Sequence, residues 1–124
     1  KIIEKITKEK KLNTSISHTK NHSGIAYCFE RQIGLDIEDI NRPVSNKLTS
    51  LLREKAEILD LNPLELWTLM ESTYKSKKLK KSENFLDYKF EKINDIYVYK
   101  FNNLCVQSKI RKFKNLCVSV SLLG

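Results

Sequence analysis

Glycine, proline and cysteine are all scarce in this chain: three Gly, two Pro and three Cys in 124 residues. So few chain breakers argue against long disordered stretches. The cysteines, Cys28, Cys105 and Cys117, are odd in number and never form a C-x-x-C pair. That spacing gives neither a disulfide framework nor a zinc site. Each lies among apolar or aromatic neighbours, so thiols buried in a reducing compartment are expected. No apolar run approaches the roughly 18 residues a bilayer-spanning helix needs. The stretch from Lys1 to Lys11 is charged throughout and carries no signal-peptide pattern. The chain opens on Lys rather than Met, so a fragment or a processed form is expected. These readings together point to a cytoplasmic protein that does not enter a membrane.

What is present is a chain of ordinary globular make-up, 40% hydrophobic and 31% charged, of a size that fits one domain over 1–124. Its net charge is +8, which favours an anionic partner: nucleic acid, anionic membrane, phosphorylated cofactor or acidic protein. A solvated lysine-rich surface would give the same number. No helix-turn-helix, zinc or RNA-binding aromatic signature accompanies the charge, and the aromatics do not interleave with the lysines, which counts against nucleic acid.

The first twelve residues read as an arm or a short helix. Asn13 to Thr19 is short and β-compatible, and Gly24 to Glu30 has the content of a strand. Ile33 to Ile40 alternates with period two, a half-buried strand that Asn41-Arg42-Pro43 breaks. Ser45 to Leu59 has helical spacing. Asn62-Pro63-Leu64-Glu65 is a helix start, with Asn at the cap, Pro at the first position and Glu three after the cap. This second helix is expected to run to about Lys78. Lys75 to Lys81 holds five lysines and should be mostly solvated. Strand-like pieces follow at Phe85 to Phe90, Ile96 to Phe101, Leu104 to Ile110 and Asn115 to Leu122. Strands, two helices, then strands predict an α+β fold.

Three segments carry candidate chemistry. In Gly34-Leu35-Asp36-Ile37-Glu38 the two carboxylates share one face of a strand, opposite Ile33, Leu35 and Ile37. Such a pair repels itself unless water screens it or a cation sits between; hard oxygen donors of this kind suit Mg²⁺. The face reads either as a solvated polar surface or as a cation site. In the second helix Trp67, Glu71 and Lys75 form one stripe and Leu66, Met70 and Tyr74 an apolar one beside it. Glu71 and Lys75 read as a surface pair or as a metal ligand and a phosphate-holding cation. In Ser15-Ile16-Ser17-His18-Thr19, His18 among hydroxyls reads as a turn histidine or as a phosphate contact; His22 reads as surface.

Taken in order, SISHT, GLDIE and WTLMESTYK resemble the surfactin-synthetase type of phosphopantetheinyl transferase. That family carries an (N/S)-I-S-H-(S/T) segment, a G-(I/V)-D-(I/V)-E strand and a W-x-x-K-E-(A/S)-x-x-K helix. The likeness spans about Asn13 to Lys78, with Glu57 where a further acid often stands and a weaker match over Asn115 to Ser121. It implies a half-unit of that fold, an antiparallel sheet packed with two main helices. It implies transfer of phosphopantetheine from coenzyme A to a serine of an acyl or peptidyl carrier protein. Asp36, Glu38 and Glu71 would hold Mg²⁺. Glu71 would also help deprotonate the serine, and Lys75 would stabilise the phosphate in flight. Ser17 and His18 would contact the ribose phosphate of coenzyme A.

The chain departs from the pattern twice. Met70 stands where the first lysine of the helix motif belongs, so Met70→Lys is expected to raise activity or leave it unchanged. The match covers essentially the second of the family's two halves, and a homo-oligomer, dimer or trimer, could restore the missing interface. The alternative is a relative that has lost catalysis and binds coenzyme A or a carrier protein.

Overall fold

A computed structural model describes residues 12–77 and 87–124. It is α+β, as the order of elements predicted. Strands β1 (Leu12–His18) and β2 (Ser23–Phe29) form an antiparallel hairpin, and β3 (Ile33–Asp39) follows. Helices α1 (Asn46–Ile58) and α2 (Pro63–Ser76) come next, then β4 (Phe90–Ile93), β5 (Ile96–Phe101), β6 (Leu104–Phe113) and β7 (Leu116–Leu123). The last four strands and β3 make one antiparallel sheet in the order β3-β7-β6-β5-β4. The segment read as an arm lies outside the described residues except for Leu12, and the expected strand from Phe85 is described only from its later residues, with β4 beginning at Phe90.

Local chemistry sets the helix boundaries as expected. Ser45 caps α1 by accepting from Leu48 N at 3.1 Å. Asn62 and Glu65 close a reciprocal capping box, each bond 2.8 Å, with Pro63 in the first turn. Two-residue turns link β4 to β7, and Asn94, Asn102 and Lys114 take the left-handed conformation there. The helices cover one face of the sheet. Leu52, Ala56 and Leu59 of α1 and the loop after it meet Leu66, Leu69 and Met70 of α2, and Tyr97, Tyr99 and Val106 of the sheet.

Met70 is 1% exposed in that core. The expectation attached to it is therefore corrected: a lysine here would bury its ammonium among apolar side chains rather than supply a cation to a site.

The contact of α2 with β3 and β7 is unusually close, because small side chains line it. A Cβ at Gly34 would lie 1.9 Å from Ser72 O and 2.6 Å from Ser76 N, so only glycine fits beneath the helix. Ser119 and Ser121 of β7 are fully buried, and each hydroxyl lies 2.7 Å from Ser72 Oγ. The polar face of β7 is thus sealed by a helix, and its two serines share Ser72 Oγ on that helix.

On the opposite face Leu35, Ile37 and Leu116 pack with Ala26, Val118 and Val120 under the hairpin. Gly24 allows the close approach, since a Cβ there would come 2.5 Å from Ile37 Cδ1. The edge of β3 away from β7 has backbone donors to satisfy. Ser15 Oγ accepts from Leu35 N and Ser17 Oγ from Ile37 N, both at 2.9 Å. The hairpin is stitched to the sheet by two hydroxyls. The cost is that Ile16, Ile25, Tyr27 and Phe29 point outward and are exposed.

The lysine run is not uniformly solvated. Lys77 is 1% exposed, its Nζ 4.5 Å from the Tyr88 ring centroid and 5.0 Å from that of Tyr99. Lys75 is turned toward β3. Lys78, Lys80 and Lys81 lie outside the described residues. The thiols follow expectation only in part: Cys117 is buried, while Cys28 and Cys105 are partly exposed. Among the described residues no helix is long and apolar enough to cross a membrane.

Candidate functional site

The face of β3 that carries Gly34, Asp36 and Glu38 is the face on which α2 lies. It is not a solvated surface: Asp36 is 5% exposed and Glu38 9%. The reading of Asp36 as facing outward is corrected by the helix that covers it. Because Gly34 admits α2 so closely, Glu71 and Lys75, one turn apart on that helix, come to the same place as the two strand carboxylates.

Lys75 Nζ donates to Leu35 O at 2.9 Å and stands 3.5 Å from Asp36 Oδ1. Ser17 Oγ lies 3.5 Å from the same oxygen. The other oxygen, Asp36 Oδ2, is buried and has no hydrogen-bond partner. Glu38 Oε1 pairs with Arg42 Nη1 at 2.5 Å. The electrostatics join these groups. Burial, and then a side-chain hydrogen bond with Glu38 and the charge of that carboxyl, push the Asp36 carboxyl up to about 8 against the opposing pull of Lys75, with Glu71 adding to the rise. Glu71 is also raised, first by burial; Lys75 and Arg42 oppose the rise and Glu38 adds to it. At neutral pH much of the Asp36 population holds a proton unless a further cation arrives.

No family model and no curated protein matches this chain. The arrangement is therefore judged on its own chemistry. Hard oxygen donors are electrostatic neighbours, no donor reaches one buried carboxylate oxygen, and added positive charge would relieve both raised carboxyls. Those features fit a divalent cation such as Mg²⁺. The side chains are not closed around one, however: among the described residues no three His, Cys, Asp or Glu side chains group tightly enough to hold a metal ion. Asp36, Glu38 and Glu71 are electrostatic neighbours in an open arrangement, with Arg42 and Lys75 already lying against two of them.

His18 is exposed at the end of β1 and lines an open cleft of about 630 Å³ with Lys20, Glu38, Asp39 and Arg42. Glu38 belongs to both the cleft and the buried carboxylate cluster. Ser17, expected beside His18 as a ligand contact, is 4% exposed, and its hydroxyl already serves Ile37 N and Asp36. Its observed work is to fasten β1 and hold Asp36. His22 is exposed in the hairpin turn, as expected.

Arg42 and Lys20 are the residues that sequence reasoning missed. Arg42 was read only as part of a strand break. A usable signal was present: it stands four residues after Glu38, across a turn in which Arg42 N donates to Asp39 O at 2.9 Å.

Proposed function

We propose that this chain is a Mg²⁺-dependent phosphopantetheinyl transferase acting on coenzyme A and the serine of an apo acyl or peptidyl carrier protein. The observation that carries the reading is the buried Asp36 with its unpartnered Oδ2, set against Glu38, Glu71 and Lys75. A metal-binding function explains why a fold would keep such a group. The likeness of SISHT, GLDIE and WTLMESTYK to the family's motifs supplies the reaction.

In this reading Asp36, Glu38 and Glu71 hold the cation. When bound, the cation would neutralise charge on the pyrophosphate of coenzyme A as that bond breaks and adenosine bisphosphate leaves. Glu71 accepts the proton of the attacking serine, directly or through water; its raised proton affinity suits it to that task. Lys75, anchored on Leu35 O, presents its ammonium to the transferring phosphate. His18 and the cleft beside Glu38 receive the ribose phosphate end. Ser17 acts one step back, by holding Asp36. The net charge of +8 suits an acidic carrier protein. A homo-oligomer, dimer or trimer, belongs to this reading, and a cytoplasmic setting goes with these substrates.

A second reading has one observation of its own. Arg42 and Lys75 lie on Glu38 and Asp36 as a metal would, which favours a catalytically silent relative that binds coenzyme A or a carrier protein. Intact-protein mass spectrometry of an apo carrier protein incubated with this chain, coenzyme A and Mg²⁺ separates the two. Gain of one phosphopantetheine, lost with EDTA, supports the transferase. Binding of coenzyme A without mass gain across several carrier proteins supports the silent relative.

A further inference from the structure

Glu38 is the hinge between a buried carboxylate cluster and an open cleft, and Arg42 is the side chain that occupies it. We propose that Arg42 is an exchangeable counterion: a divalent cation entering the cluster takes Glu38 from it, and the freed guanidinium then binds an anionic phosphate in the adjoining cleft. The proposal rests on the cation-site reading above and adds how cation and anion are coupled.

Four observations converge on it. First, the pair is unequal in burial: the Glu38 side chain is 11% exposed and that of Arg42 is 52%. The guanidinium end is half-solvated, so Arg42 can pass into water as it leaves Glu38. Second, Asp36 Oδ2 is buried in the same cluster and no donor reaches it. Lys75 Nζ, which donates to Leu35 O, stands 3.5 Å from the other oxygen, Asp36 Oδ1.

Third, the backbone under Arg42 is fixed. Arg42 N donates to Asp39 O, Asn41 N donates to Asp39 Oδ1 at 2.9 Å, and Pro43 follows. The side chain can therefore change partner without moving the loop. Fourth, the cleft is balanced as it stands: Lys20 and Arg42 face Glu38 and Asp39. A doubly charged cation at Glu38, together with release of Arg42, turns the same cleft net positive, and only then does it attract an anion. Binding of the two ligands becomes mutually reinforcing by the same factor in each direction.

The test uses Mn²⁺ as the cation, followed by electron paramagnetic resonance, and inorganic phosphate as the anion. Arg42→Ala removes the competitor for Glu38. It should bind Mn²⁺ without phosphate at least about threefold tighter than the unaltered chain, and phosphate should no longer tighten Mn²⁺ binding. Lys20→Ala removes the same charge from the same cleft but makes no bond to Glu38. Its Mn²⁺ affinity without phosphate should stay within about twofold of the unaltered chain, because an exposed charge is largely screened. Arg42→Ala binding no tighter than the unaltered chain overturns the exchange and leaves the cation site standing, and so does Lys20→Ala tightening binding equally. Absence of Mn²⁺ binding to the unaltered chain and to Arg42→Ala alike overturns the cation site and the exchange with it.

Discussion

Replacing Asp36 with Asn removes the charge while keeping the shape, and the structure says what should follow. The Asp36 carboxyl is raised from 3.8 to about 8, first by burial and then by Glu38. The folded state therefore holds this proton more tightly than the unfolded chain does. Between pH 4 and pH 8 the unfolded chain has released the proton and the folded one has not, so stability falls as pH rises through that window and levels off above it. At about 1.4 kcal/mol per pH unit, the full shift is worth on the order of 5 kcal/mol as an upper bound. That is a large share of the roughly 5 to 15 kcal/mol that holds a small domain together.

Trp67, the single tryptophan, packs against the helical core and reports unfolding by fluorescence. Urea titrations in EDTA should show the unaltered chain less stable at pH 8.5 than at pH 5. Asp36→Asn should fall less steeply, keeping only the part that the raised Glu71 carboxyl contributes, and should exceed the unaltered chain at pH 8.5 by about 3 kcal/mol. Adding Mg²⁺ at pH 8.5 should stabilise the unaltered chain and leave Asp36→Asn unchanged, because only the carboxylate is a good ligand. The reasoning fails if the unaltered chain is equally stable at both pH values in EDTA, or if Asp36→Asn is the less stable protein at pH 8.5.

Two other substitutions probe the frame around the site. Met70→Lys should lower stability by about 3 to 5 kcal/mol, because it puts an ammonium into a filled core; an unchanged urea midpoint would show that position 70 faces solvent. Ser17→Ala leaves Ile37 N without its acceptor and should cost about 1 to 3 kcal/mol in the same assay, with no restoration by phosphate.

The elements were legible because each has a strong local cause. The capping box of Asn62 and Glu65, the serine cap of α1 and the period-two run of β3 all need only neighbours in sequence. Partnership across the chain is what stayed hidden. Gly34-x-Asp36-x-Glu38 reads as a polar face until α2 is laid on it. Nothing within β7 announces that Ser119 and Ser121 face a helix rather than water. In β1 the usual sense is inverted: the serines go in, because an edge strand needs acceptors, and Ile16 goes out. Lys77 looked like one more solvated lysine because the rings that receive it, Tyr88 and Tyr99, are remote in sequence. The candidate site was legible as residue types, since Asp36, Glu38, Glu71 and Lys75 do come together. Arg42, the side chain that closes it on the solvent side, was not.

The two hydroxyls that fasten the hairpin give the protein a built-in gauge. The amide hydrogens of Leu35 and Ile37 end on Ser15 and Ser17 rather than on another backbone, so each is shielded only while the hairpin is seated. Their exchange with deuterated solvent times the lifting of β1, separately from the fraying of the five-stranded sheet. His18 rides on that same strand. Anything that engages His18 and the sheet together weighs the hairpin down, and the amides of Leu35 and Ile37 slow their exchange in response.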